Sequence, residues 1–322
     1  MADIKITGTL KNSGKFENIK VKFKKDIKRN GTLYLIVLPV IIYYLVFHYR
    51  PLFGIIIAFK NYKPVHGILG SPWTSEFGFH HFIEFFNNPF FYRLIRNTVL
   101  ISFYNLIFGF PVPIILAVMI SEVRNKLYKK TIQTVTYFPH FISQVVVCGI
   151  LTEFCLSDGL FNQIRNLIGL EPISMLQKPE LFRTIYVGSN IWQEMGWNSI
   201  IYLAAIAGIE QQLYEAAKLD GAGRYRLIWH ITLPGIKSVA IILFILSMGK
   251  MMSVGAEKIL LLYNEATYET ADVISTYVYR RGLLEFNWSF STAVDLFNSI
   301  INFSLVIAAN RISRKVTETS LF

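Results

Sequence analysis

Residues 209–237 read IEQQLYEAAKLDGAGRYRLIWHITLPGIK, a mixed polar stretch lying between two long apolar runs. Leu213, Ala216, Ala217 and Leu219 are strong helix formers with small residues on one side, which predicts a short helix. Gly221 and Gly223 follow at the place where a helix end or turn requires positive φ, a conformation other residues adopt only at a cost. A second short amphipathic helix is expected over residues 224–230, and Pro234 then stands just ahead of the next apolar run, where a missing backbone N–H costs little. The surface around the two alanines carries little bulk. It suits a helix laid into a cleft on another protein, and equally an ordinary loop between two membrane spans.

The flanking runs decide the class. Of the 322 residues, 53% are hydrophobic and 16% charged, whereas a soluble domain carries about a quarter charged residues. Working outward, the run after the hairpin covers residues 236–254 and the run before it 184–209. Further runs are expected to span at 33–49, 94–120, 131–151 and 291–309. Pro39, Pro111, Pro113 and Pro139 inside these runs are tolerable, because neighbouring helices satisfy the carbonyls they free. Residues 52–59 are about half a bilayer long and read as a re-entrant or interfacial piece, followed by an aromatic-rich loop over 60–91. Residues 157–183 read as a polar loop with a small helix. The fold expected is all-α, with about six transmembrane helices.

Charge placement gives an orientation. Residues 1–32, 121–131, 209–237 and 310–322 hold nine, four, four and three of the 32 Lys and Arg residues. The longer intervening loops share the remaining 12. The positive-inside rule therefore places those four segments, and both termini, in the cytoplasm. The net charge of +11 thus reads as a topology signal, not as a groove for nucleic acid. The expected domains are a basic cytoplasmic segment over 1–32, a transmembrane domain over 33–310 and a cytoplasmic tail over 311–322. Residues 15–29 suit either an amphipathic helix at the headgroups or a disordered basic tail. No cleavable signal peptide is expected, since the first apolar run lacks a small-x-small site. Cys148 and Cys155 fit no disulfide framework or metal spacing and read as small buried hydrophobes.

The pattern Glu215-Ala216-Ala217, three residues, Gly221, nine residues and Ile231-Thr232-Leu233-Pro234 resembles the EAA loop of permease subunits of binding-protein-dependent ABC importers. Asp220 and Ala222 flank the glycine as is usual there. Asn88-Pro89-Phe90 with Leu94 and Asn97-Thr98, and Asp272-Val273-Ile274-Ser275-Thr276-Tyr277 with Tyr279-Arg280 and Gly282-Leu283, resemble stretches of the carbohydrate branch. The likeness covers about residues 80–310 and is to permeases of polysaccharide-fragment systems such as the alginate importers. It implies a type I ABC importer permease fold in a bacterial cell membrane. It also implies a second permease (a heterodimer), two ATPase subunits and an extracytoplasmic solute-binding protein. The ATPase-coupling residues it implies are Glu215, Ala216, Ala217, Asp220, Gly221, Ile231, Leu233 and Pro234. ATP and Mg then belong to the partner ATPases; this chain, which has no G-x-x-x-x-G-K-[ST] loop, is expected to bind no cofactor and to be no enzyme.

Polar side chains within spans usually face the bundle interior or a wet cavity. The fourth span offers Asn190, Gln193, Glu194, Trp197 and Asn198 on one broad helical face, and it also carries Trp192. The sixth offers Ser291, Asp295, Asn298 and Asn302, and the third Gln133, Tyr137, His140 and Gln144. Amides, carboxylates and aromatic faces are what sugar hydroxyls and C–H surfaces need. Asn190, Trp192, Gln193, Trp197, Asn198, Asp295 and Asn298 are the candidates for the substrate path; helix–helix hydrogen bonding uses the same residue types. His80, His81 and Glu84 make a poor metal site without a fourth ligand. Lys250 is expected to snorkel or to pair with Asp295 or Glu257. A membrane-embedded enzyme and a secondary transporter are the alternatives. Neither nucleophile motifs nor an internal repeat are present to support them, and both leave the 209–237 pattern unexplained.

Overall fold

The computed structural model describes residues 10–317 and 319–321. The chain divides into two compact units at Ile56 and Ile57. The first is built on one helix, α1 (Leu10–Tyr44), which leaves helical geometry only at Asn30 (φ −118°, ψ 21°). Asn30 marks a joint between the basic stretch and the apolar run. The main chain of residues 15–29 is therefore helical, although the side chains up to residue 25 and that of residue 27 lie outside the described part. Leu33 to Phe47 carry large apolar side chains, mostly half or more exposed, which only lipid or another protein can cover. The short apolar piece read over 52–59 forms a 3₁₀ stretch, Phe53–Phe59, at the end of the helical run Lys28–Phe59.

The second unit is helical as well, and among the described residues its β pairing is a single bridge between Lys60 and Trp73. Its main helices are α2 (Phe91–Tyr104), α3 (Pro111–Ser121), α4 (Lys126–Tyr137), α5 (Gln144–Cys155) and α6 (Pro179–Ala207). Then follow α7 (Gln211–Leu219), α8 (Leu233–Met248), α9 (Ala256–Leu262), α10 (Ile274–Tyr279) and α11 (Trp288–Thr317). Five helical runs in the described residues are long and apolar enough to cross a bilayer. Helix α6 is 29 residues long but carries Asn190, Gln193, Glu194 and Asn198, and it is not one of the five. This is a multi-pass membrane protein.

The third expected span, 131–151, is not one helix. A 3₁₀ turn at Phe138–Phe141 and extended backbone at Ile142 and Ser143 separate α4 from α5. Pro139 removes an N–H and cannot continue the ladder, and Ser143 recaps the next helix by accepting from the Val146 N–H. Asn125 caps α4 in the same way, accepting from Leu127 and Tyr128 at 2.9 and 3.1 Å.

The long helix α6 is the strut of this unit, packing along α3, α4 and α8. Pro179 and Glu180 start it, a fixed φ and a negative charge at the positive end of the helix dipole. Phe182, Tyr186 and Val187 at its start bury against Ile101, Val147, Leu151, Ile259 and Val273. Tyr202 near its end buries with Ala117 and Ile236. A third cluster joins Phe85, Leu94, Ile274, Tyr277 and Phe290, tying α2, α10 and α11 together.

Candidate functional site

Two regions carry the expected function, and one helix connects them. In the hairpin, α7 ends in a Schellman motif: Gly221 N–H donates to the Lys218 carbonyl at 3.0 Å and Ala222 N–H to the Ala217 carbonyl at 2.9 Å. Gly221 has φ +77°, and a side chain built there would meet nothing within 4 Å. Backbone conformation, not close approach, demands glycine at that position. Gly223 differs from expectation: it is extended (φ −75°, ψ 169°) and precedes the next helical turn.

The expected second helix is also corrected. Arg224–Leu227 runs through a π turn, Ile228–Thr232, directly into α8, so the chain does not break before Pro234. A π turn supplies the extra residue that keeps the proline ring off the preceding carbonyls. Ile231, Leu233 and Pro234 therefore belong to the root of the fifth span. Two contacts tie the hairpin down. Tyr214 and Thr232 share a hydroxyl hydrogen bond of 3.0 Å, and Arg224 Nε lies 3.0 Å from Glu122 at the end of α3. Glu215, Ala216 and Asp220 are exposed and Ala217 is half-buried. Leu213, Leu219, Tyr225 and Trp229 are exposed beside them, an apolar surface on an otherwise polar hairpin.

The second region is a cavity of about 700 Å³ between α2, α6, α8 and α9. Asn105, Gln144, Asn190, Glu194 and Asn198 line it, with Lys250, Glu257, Lys258, Tyr186 and Tyr202. Asn190 donates to Asn105 at 3.3 Å. Glu194 is held by His140 Nδ1 at 3.1 Å. Of the seven substrate-path candidates, Asn190 and Asn198 reach this cavity. The others do not line it. Gln193 is buried and bonds the Ile142 carbonyl at 3.5 Å, and Trp192 is exposed. Trp197 stacks on His140 with centroids 4.5 Å apart and planes 4° from parallel. Asn298 donates to the Met252 carbonyl at 2.9 Å, and Asp295 is exposed on α11. Helix packing explains Gln193 and Asn298. Lys250 pairs with neither Asp295 nor Glu257 and lines the cavity instead.

The sequence reading missed Asn105, on a π turn between α2 and α3, and Lys258, the lone cation in the apolar run AEKILLL of α9. That isolation was the available signal.

The stretches 88–98 and 272–283 meet as one clamp. Asp272, fully buried, accepts from Arg280 at 2.8 Å, Arg93 at 3.1 Å and Thr276 at 2.8 Å. Asn97 donates to the Asp272 and Glu269 carbonyls, both at 2.9 Å, and Asn88 to the Tyr277 hydroxyl at 2.6 Å. Burial alone would lower the Arg280 pKa, but the Asp272 hydrogen bonds and charge outweigh it and hold the guanidinium above its usual value. These groups fix the loop before α11 onto the start of α2. His81 has its Nε2 3.3 Å from the Lys60 carbonyl and its Nδ1 3.7 Å from Glu84. Glu84 also accepts from Arg281 at 3.2 Å, and His80 faces Glu76 at 3.8 Å, so His80 does not join the other two.

The profile of the family described as binding-protein-dependent transport system inner membrane component matches residues 109–318. The polygalacturonan/rhamnogalacturonan transport system permease protein YteP of Bacillus subtilis is 46% identical over 291 residues, 90% of each chain. Protein LplB of the same organism is 43% identical over 303 residues, 94% of each. A crystal structure of a bacterial alginate ABC transporter, in complex with an alginate pentasaccharide-bound periplasmic protein, contains a similar chain. The TM-score is 0.84 at 45% identity, covering 92% of this chain and 99% of that one.

Proposed function

This chain belongs to the family of binding-protein-dependent transport system inner membrane components, and from that premise we propose that it is one permease of a carbohydrate-importing ABC transporter. The cargo is an oligosaccharide or polysaccharide fragment. A second, different permease supplies the other half of the path. Two ATPase subunits bind ATP and Mg, and an extracytoplasmic binding protein delivers the sugar. The chain sits in the bacterial cell membrane with both termini in the cytoplasm.

One observation carries the coupling half of this reading. The hairpin is continuous with α8, and Leu243, Leu246 and Ser247 near the far end of α8 line the cavity. A push on the hairpin therefore moves the cavity wall. The exposed Leu213, Ala216 and Leu219 fit a groove on the ATPase, with Glu215 and Asp220 at its rim. The Tyr214–Thr232 and Arg224–Glu122 contacts make the hairpin move with its helix roots. Asn105, Gln144, Asn190 and Asn198 offer paired donors and acceptors to hydroxyls passing through.

The test is reconstitution in proteoliposomes with the partner permease, ATPase and binding protein. Ala216→Leu should abolish sugar uptake by steric exclusion at the groove, and hydrolysis should no longer respond to loaded binding protein. Wild-type uptake in this variant would remove the coupling role.

A further inference from the structure

A neutral sugar requires no charged partner, yet Lys250, Lys258, Glu194 and Glu257 all line the cavity, and of these Lys258 is the buried one without a polar partner. Lys258 lies on its wall, is 3% exposed, and its Nζ has no hydrogen-bond acceptor. The carboxylates nearby do not neutralise it. Glu194 is engaged by His140, and Glu257, next in sequence, is exposed and forms no ion pair. What the ammonium has is the face of Tyr186, its centroid 5.5 Å away. A ring face attracts a cation only weakly compared with a carboxylate. Burial lowers the Lys258 pKa to about 8, so the amine, which lies between the fifth and sixth spans, remains mostly charged at neutral pH. A desolvated cation without an anion is a costly arrangement, and sites that keep one generally use it.

We propose that Lys258 receives a carboxylate of the transported sugar, so that the cargo is an acidic oligosaccharide. This rests on the carbohydrate-import reading above. The amides of Gln144, Asn190 and Asn198 can serve hydroxyls on any sugar, but an ammonium in a low-dielectric wall distinguishes a carboxylate from a hydroxymethyl group. Lysine also suits passage better than arginine. Its point charge makes no bidentate clamp, and a carried ligand must leave as readily as it enters.

The test uses the full reconstituted complex and two probes, tri-galacturonate and its methyl ester, with maltotriose as a neutral reference. Lys258→Met preserves length and apolar volume. It should lower uptake of the acid relative to the ester by about tenfold or more, the scale of one lost charge-assisted contact. Lys258→Arg should keep uptake of the acid. Equal loss on acid and ester, or no loss on the acid, overturns the proposal. Wild-type uptake of ester or maltotriose without the acid overturns it too, leaving carbohydrate import standing. Uptake of none of the three removes that reading as well. If Lys258→Met does not assemble, acylation of the wild-type lysine followed by mass spectrometry reads the same contact. The acid should protect Lys258 and the ester should not; equal labelling overturns the assignment.

Discussion

Gly196 of α6 lies against the main chain of Thr136 in α4, so close that a Cβ there would fall deep inside contact distance of the Thr136 carbonyl. Neither backbone can yield cheaply, because α6 is packed on both sides and α4 leads directly into the Pro139 turn. The glycine thus sets the depth at which Asn190, Glu194 and Asn198 meet the cavity. Gly196→Ala should destabilise the solubilised protein by about 1–3 kcal/mol through overpacking. A thermal melt in detergent checks it, and an unchanged transition would mean that the two helices are free to separate.

Gly221 presents the opposite case, with open space and a positive φ that glycine enters freely and other residues only under strain. Gly221→Val should cost about 1–2 kcal/mol for entering positive φ, and Gly221→Asn distinctly less. Because the strain falls on the turn, the spans should stay folded while uptake is lost. Circular dichroism and proteoliposome transport on the same samples separate the two effects.

The Tyr214–Thr232 bond joins the hairpin to the π turn that feeds α8. Tyr214→Phe and Thr232→Val should each lower stability by about 0.5–1.5 kcal/mol, and the double variant by less than their sum. A double-mutant cycle on urea or thermal unfolding measures this. Strict additivity would show that the two hydroxyls act independently.

Asp272 has no exposed surface and answers two arginines. Asp272→Ala leaves Arg93 and Arg280 without their carboxylate and should cost about 3–5 kcal/mol. The loss should appear as failed expression or assembly. Arg93→Met should be milder, since Arg280 alone still neutralises the buried acid. Equal effects from both would argue against Asp272 as the centre of the clamp.

Orientation is checked by cysteine labelling in a background lacking Cys148 and Cys155. Ser174, in the polar loop before α6, should react with an impermeant reagent from outside, and Ser121 and Ser313 should not. Reaction of Ser313 in intact cells would invert the topology.

The sequence by itself determined the class, because hydropathy and basic clusters act locally. A run of apolar residues must be covered by lipid or protein, and Lys and Arg stay on one side, whatever the rest of the chain does. Gly221 was legible for the same reason: a short-range backbone requirement leaves a short-range mark. The tertiary structure alone decided which polar residues share a cavity. Asn190 and Gln193 sit on one helix within a turn of each other, yet one lines the cavity and the other bonds the Ile142 carbonyl. Periodicity places residues on a face but says nothing of what stands opposite. Asn105 and Lys258 were missed because their meaning comes from helices far away in sequence. Asp272 and Arg93, 179 residues apart in sequence, become one clamp only when burial removes water and leaves each the other's partner.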